Sequence, residues 1–194
     1  SPMRSNAPPA RPAVPLCTYR LQLNRGFTFA QATQIVPYLH ALGVSDAYLS
    51  PYLQARPGSL HGYDITNHGA LNPEIGDEAS YRALVRALRQ HNMGQVADIV
   101  PNHMGIAGGA NPWWLNVLEN GPSSPFAPYF DIEWEPLQPK PRGKVLLPVL
   151  GDQFGLVLER GELQLAFEDG RFHVCYFENR FPASPRSTAG VLRE

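Results

Sequence analysis

The residues best equipped for chemistry fall in two short stretches. The first is Asp98-Ile99-Val100-Pro101-Asn102-His103, at the carboxyl end of a strand read at Gln95–Val100. It delivers a carboxylate, an amide and an imidazole together, a set that can exchange hydrogen bonds with several hydroxyls of one sugar. The same residue types also serve as strand-end turn formers, so the stretch alone leaves both roles open. The second is Leu60-His61-Gly62-Tyr63-Asp64. Gly62 permits a tight backbone, and Tyr63 offers a flat apolar face that can stack on a pyranose ring or pack into a core. Asp64 reads as a brace for its own loop.

These stretches need a scaffold, and the surrounding pattern supplies one. Thr18-Tyr19-Arg20-Leu21-Gln22-Leu23 alternates with period two, which predicts a strand. Thr28 and Gln31 form a capping-box pair ahead of Ala32, Ile35, Val36, Leu39 and Leu42, a helical spacing that Pro37 should kink or interrupt. Asp46–Ser50 is a second strand, followed by a long loop from Pro51 to about Gly76. Asp77 then caps a helix with apolar positions Tyr81, Leu84, Val85 and Leu88, ended by Asn92 and Gly94. Strand, helix, strand, helix, strand is the grammar of a parallel α/β sheet, whose ligands gather at the carboxyl ends of the strands. Past His103 the texture changes. Asn111-Pro112 opens a short helix to about Glu119, and 121–143 is proline-rich and irregular. From Val145 the chain reads as short strands, with a hairpin turn at Asp169-Gly170 between Leu163–Phe167 and Phe172–Phe177.

Taken together, Asp-x-Val-x-Asn-His at the end of strand three and His-Gly-Tyr-Asp in the preceding loop resemble the α-amylase superfamily (glycoside hydrolase family 13). Longer segments are similar to one branch of it, the maltooligosyl trehalose synthases. They include Thr18–Leu23 with Phe27-Thr28-Phe29, Tyr48–Pro51, Ala55–Ser59, Asn111–Trp114, Val117–Gly121 and Lys144–Gly151. The resemblance implies an α/β fold: an incomplete (β/α)8 TIM barrel, its first three strands only, followed by a β-rich inserted domain. Residues 1–15 would be a disordered tail, 16–105 the first β/α units and 106–194 the subdomain inserted after strand three. It further implies an intramolecular glucosyl mutase acting on maltooligosaccharides, the alternatives being another family 13 α-glucan hydrolase or transferase, or a non-catalytic glucan-binding fragment. Tyr63 would stack on the sugar of the donor subsite, His103 would hydrogen-bond it, and Asp98 would order the site without being the nucleophile. Asn102 and His61, from the same motifs, complete the substrate-binding candidates. Retaining chemistry of this kind needs two carboxyl groups about 5–5.5 Å apart. In such enzymes they come from later strands, which the resemblance places downstream of Glu194. No catalytic residue is therefore assigned among the 17 acidic residues here, and the chain by itself is expected to be inactive.

Composition fits a neutral ligand. A net charge of −1 and 43% hydrophobic residues argue against nucleic acid and anionic membrane as partners. No apolar run approaches the ~18–20 residues of a membrane span, and no secretory signal is visible, so a cytoplasmic location is expected, with Cys17 and Cys175 as reduced thiols. Asn102 matches a calcium-coordinating position of many amylases, but a hard cation takes about 6–8 oxygens, so neither metal nor cofactor is expected. Trp113 and Trp114, adjacent on one helix, must point to different sides; either can be core. His40, His68, His91 and His173 show no ligand spacing and read as surface or loop residues. Composition leaves the oligomeric state open.

Overall fold

In the computed structural model, which describes residues 14–137 and 142–191, the chain divides between Met104 and Gly105 into two units. The first runs β1 (Thr18–Leu21), α1 (Phe29–Ala41), β2 (Asp46–Leu49), β3 (Leu53–Ala55), β4 (Ile65–Leu71), α2 (Glu78–Gln90) and β5 (Gly94–Ala97). Strands β1, β2 and β5 form one parallel sheet in that order, with Arg20 opposite Tyr48 and Tyr48 opposite Val96. Period-two alternation then sorts the side chains. Leu21, Ala47 and Leu49 join Phe29, Ala32, Val36 and Leu39 of α1 and Leu84 and Leu88 of α2 in the core. Arg20, Tyr48 and Val96 occupy the opposite face.

The helices begin where the capping signals place them. The Thr28 N–H donates to Gln31 Oε1 at 2.8 Å, and the Ser80 N–H donates to Asp77 Oδ1 at 2.8 Å. The backbone N–H of Ser80 is the main cause that holds the Asp77 carboxyl below its ordinary range. Pro37 does not interrupt α1, which runs unbroken past it. A proline in a helix interior costs about 3 kcal/mol, and burying Phe29, Val36 and Leu39, each worth about 1.5–3 kcal/mol, offsets that. Asn92, with φ of 53°, ends the chain's path out of α2 as expected. Gln95 bridges strand and helix: its amide donates to the hydroxyls of Tyr52 at 3.1 Å and Tyr81 at 3.3 Å. Burial, and next the bond with Tyr81, pushes the Tyr52 phenol up to about 12.

Further expectations for this unit change, beginning with the first strand, which ends at Leu21 rather than Leu23. The third strand ends at Ala97 rather than Val100, although the Asp98 N–H still donates to Leu49 O at 3.0 Å. The loop after strand two is not wholly irregular, because β3 and β4 pair antiparallel within it, with broken register on both sides of Gln54. Such irregular pairing carries no clean alternation for a sequence to display.

The second unit holds α3 (Pro112–Asn120), α4 (Phe154–Glu159), β6 (Leu163–Glu168), β7 (Arg171–Tyr176), β8 (Asn179–Pro182) and α5 (Pro185–Val191). Strands β6, β7 and β8 form an antiparallel sheet. Asp169 and Gly170 both have positive φ, 51° and 75°, as a type I′ hairpin requires. This unit is mixed rather than β-rich: helices of 9, 6 and 7 residues exceed strands of 6, 6 and 4. No strand forms over 145–150, and 154–159 is helical. Short apolar runs such as Phe154–Leu158 do not distinguish helix from strand by periodicity. His173 is also a correction, since it lies in β7, half-buried, with Nδ1 enclosed and unpartnered. The tail expected over 1–15 lies outside the described residues up to residue 13. Glu194, beyond which the catalytic carboxyl groups are expected, also lies outside the described residues, which end at Val191. Cys17 and Cys175 are free thiols. Among the described residues no helix is long and apolar enough to cross a membrane.

Asn111 anchors α3. Fully buried, it accepts from the N–H groups of Trp113 at 3.0 Å and Trp114 at 3.2 Å, and its amide donates to Gly105 O at 3.0 Å. Asn111→Ala should therefore lower stability by about 2 kcal/mol, read as a shift of the urea midpoint. Asn111→Ser, which keeps a cap acceptor without a buried charge but cannot hold the Gly105 bond, should lose less; equal losses would assign the effect to the Gly105 bond instead.

Candidate functional site

Four side chains converge at the carboxyl end of the parallel sheet, on the face opposite the helices. Arg20 comes from β1, Tyr48 from β2, Asp98 from the first position after β5, and Tyr63 from the loop between β3 and β4. Asp98 Oδ2 accepts from Tyr63 Oη at 2.5 Å, Arg20 Nη1 at 3.0 Å and Tyr48 Oη at 3.4 Å. Arg20 Nη2 donates to the Tyr63 hydroxyl at 3.0 Å, and the guanidinium lies 4.7 Å from the centre of the Tyr48 ring. Arg20 thus grips the carboxylate and the phenol at once, which a planar fork can do and a point charge cannot.

The Tyr63 loop is held from below and behind. Gln22 donates to the carbonyls of Leu60 at 3.1 Å and His61 at 3.3 Å, and Asn24 donates to Leu60 O at 3.2 Å. Ser59 donates to Asp64 Oδ1 at 2.5 Å, so Asp64 braces the loop. Gly62 has φ of 77°, and a Cβ there would lie 2.4 Å from Pro51 O. The loop closes onto Pro51 only because that Cβ is missing. Tyr63 emerges beside it 38% exposed, its ring available to a ligand.

Both histidines of the motifs attach to Tyr63. A carbonyl can only accept, so the 3.1 Å contact between His103 Nε2 and Tyr63 O puts a proton on Nε2, while Nδ1 has no hydrogen-bond partner among the described residues. His61 Nδ1 accepts the Tyr63 N–H at 3.0 Å, and its ring stacks on the tyrosine at 6.1 Å. That nitrogen therefore carries a lone pair, and its 3.9 Å approach to Asp64 is not an ion pair. The structure brings Tyr63, Asp98, His103 and His61 together. Asn102 stands apart, exposed and without a hydrogen bond to the described residues. Among those residues no group of three or more His, Cys, Asp or Glu is placed to hold a metal ion.

Arg20 and Tyr48 escape the sequence reading because both sit inside strands, Arg20 in one recognised by alternation and Tyr48 in a short apolar run. The available signal was a lone cation at a strand position between apolar neighbours, which must find a partner if that face is covered.

The electrostatics are those of a fixed acceptor. The bond from Tyr63 is the largest influence on the Asp98 carboxyl and, with Arg20, outweighs burial, holding it below the ordinary carboxylate range. The same bond, with burial, raises the Tyr63 phenol. Burial works against the Arg20 guanidinium, but its bonds to Asp98 and Tyr63 outweigh that and raise it. A carboxylate so committed is a poor base and a poor nucleophile. Its second oxygen, Oδ1, takes no hydrogen bond from the described residues and remains open to a hydroxyl donor. Because this pKa is depressed, the network is complete above the ordinary aspartate value of about 3.9 and is lost as pH falls through the lower, folded value. A carboxyl-carbon NMR titration should place the Asp98 midpoint below about 3.9; a midpoint at or above it would contradict the network.

Comparison with known proteins adds three findings. The α-amylase catalytic-domain profile matches residues 29–155. A protein of Mycobacterium tuberculosis (strain CDC 1551 / Oshkosh), provisionally named maltooligosyl trehalose synthase, is 40% identical over 169 residues, which cover 80% of this chain and 22% of that protein. An intracellular maltogenic amylase of Bacillus subtilis (strain 168) is 37% identical over 100 residues, 52% of this chain and 16% of the amylase. Among solved structures, maltooligosyltrehalose synthase from Arthrobacter ramosus superposes with a TM-score of 0.77 at 43% identity, covering 88% of this chain and 21% of that one. The chain thus spans about a fifth of the length of the two synthases.

Proposed function

From the premise that the chain belongs to the α-amylase catalytic-domain family, we propose that it is the amino-terminal portion of an intramolecular glucosyl mutase. The reaction converts the reducing-end α-1,4 linkage of a maltooligosaccharide into an α,α-1,1 linkage. Residues 16–105 supply the first three β/α units of a (β/α)8 barrel, and 106–194 belong to the subdomain inserted after strand three. The catalytic carboxyl groups come from later strands. The protein acts in the cytoplasm on a neutral glucan.

The observation that supports a sugar subsite is the Tyr63–Asp98–Arg20 network at the strand ends. It presents a ring face for stacking beside a fixed acceptor, Asp98 Oδ1, and an imidazole nitrogen, His103 Nδ1. Asn102 adds an exposed amide. Tyr63 contacts the sugar face, His103 and Asp98 take its hydroxyls, and His61 keeps the Tyr63 ring in place. The preference for a mutase over a hydrolase rests on likeness to the two synthases across 80% and 88% of the chain, against 52% for the maltogenic amylase.

Counting reducing ends separates the two chemistries. Hydrolysis of maltopentaose creates one new reducing end per event, whereas forming an α,α-1,1 linkage removes one. With the full-length polypeptide that carries these residues, the reducing-sugar titre should fall while total glucose stays constant. A rising titre would identify a hydrolase and overturn the mutase reading.

A further inference from the structure

Trp113 and Trp114 part company on α3. Trp114 is 7% exposed and packs against Phe130, whereas Trp113 is 37% exposed. The Trp113 ring stacks nearly parallel on half-buried Phe126, at 5.1 Å and 12°, and meets Tyr129 at 5.1 Å. Tyr129 itself is 68% exposed, and its hydroxyl bonds to none of the described residues. The cluster is rigidly mounted. Asn111 caps the helix beneath Trp113, and Tyr129 sits on a 3-10 turn, Ala127–Tyr129, that contains Pro128. Three aromatic rings held together with two edges in water are a preformed apolar surface with little conformational entropy left to lose.

The surroundings specify the ligand class. Residues 105–118 and 120–130 contain no Asp, Glu, Lys or Arg. The flanking charges are acidic, the exposed Asp131 and also Glu119, which pairs with Arg171, so a nucleic acid or an anionic lipid would meet no cation within this stretch. A protein partner needs about 800 Å² of surface per side, and three rings of about 150–250 Å² each, already packed on one another, offer well under that. The apolar face of a glucose ring matches a single exposed aromatic side chain. We infer that Trp113 and Tyr129 form a stacking platform for a neutral α-linked glucan chain, a second carbohydrate contact carried by the second unit. The identity of the sugar rests on the proposed function; the platform's neutrality and exposure do not.

Retention of the full-length protein on an α-glucan affinity gel tests the platform. Tyr129→Ser should weaken retention about tenfold, while Tyr129→Phe, which keeps the ring, should retain wild-type mobility. Tyr129 is exposed enough that neither change threatens the fold, which matters because Trp113→Ala removes packing from Phe126. Wild-type retention of the Tyr129→Ser variant would overturn the platform, as would equal loss in the phenylalanine variant. The reducing-end assay stands apart from this result. Ring-dependent retention without loss of reducing ends would sink the mutase and leave the platform, and the converse would sink the platform alone.

Discussion

Asp98→Asn should lower maltopentaose turnover by the full-length protein about 10²-fold, mostly in kcat. The change is nearly isosteric, so the fold should survive. What it removes is the charge that three donors share. An asparagine offers one acceptor oxygen where Tyr63, Arg20 and Tyr48 now meet Oδ2, and its amide group would face either the guanidinium or the sugar. Tyr63 then loses the partner that fixes its hydroxyl, and a displacement of about 1 Å is enough for a loss of about 10²-fold. Arg20→Leu should act in the same direction and return the Asp98 titration towards the ordinary range. Arg20→Lys should rescue only part of it, because an ammonium cannot hold both oxygens in the fork geometry. Turnover of Asp98→Asn within threefold of wild type would show that the network only stabilises the loop.

Gly62→Ala should be among the most damaging single methyl additions in the first unit, costing about 1–3 kcal/mol. Two effects combine. The backbone at φ of 77° disfavours any Cβ, and this Cβ would stand 2.4 Å from a carbonyl oxygen that belongs to the backbone of Pro51 and cannot swing aside. Gly58 provides the control. It has φ of 79° but nothing within 4 Å of a built Cβ, so Gly58→Ala carries only the conformational strain. Urea midpoints should fall further for Gly62→Ala than for Gly58→Ala, and maltooligosaccharide affinity should weaken only in the former. Equal shifts would mean that the loop, rather than its seat on Pro51, sets the cost.

Much of this arrangement was legible before the fold was known. The capping pairs at Thr28 and Asp77, the two long helices and the Asp169-Gly170 hairpin all rest on local rules, and local rules survive folding. Tyr63, Asp98, His61 and His103 stood out because their residue types cluster beside strand ends. The partners that hold them did not. Arg20 lies 78 positions from Asp98 and 43 from Tyr63. Only the pairing of β1 with β2 and β2 with β5 brings those residues into contact, and no periodicity within one strand reveals it. Pro37 does not interrupt its helix for the opposite reason: a valid local penalty is outweighed by the burial of Phe29, Ala32, Val36 and Leu39. The pair β3 and β4 stayed hidden because His68, Gly69 and Asn67 give an irregular edge no apolar stripe.

The parallel register of the three strands also makes the site a matter of parity. Arg20, Tyr48 and Val96 stand opposite one another, with Asp98 two residues further along the same row. Deleting a single residue within β1 upstream of Arg20 would slide its register by one and turn its side chains over, presenting Leu21 where the guanidinium now sits. A deletion of two residues would restore the row one step displaced. Length changes in the loops that join helix to strand leave odd and even unchanged. Over evolutionary time insertions and deletions can therefore accumulate in those connections, while the strands admit them almost only in pairs.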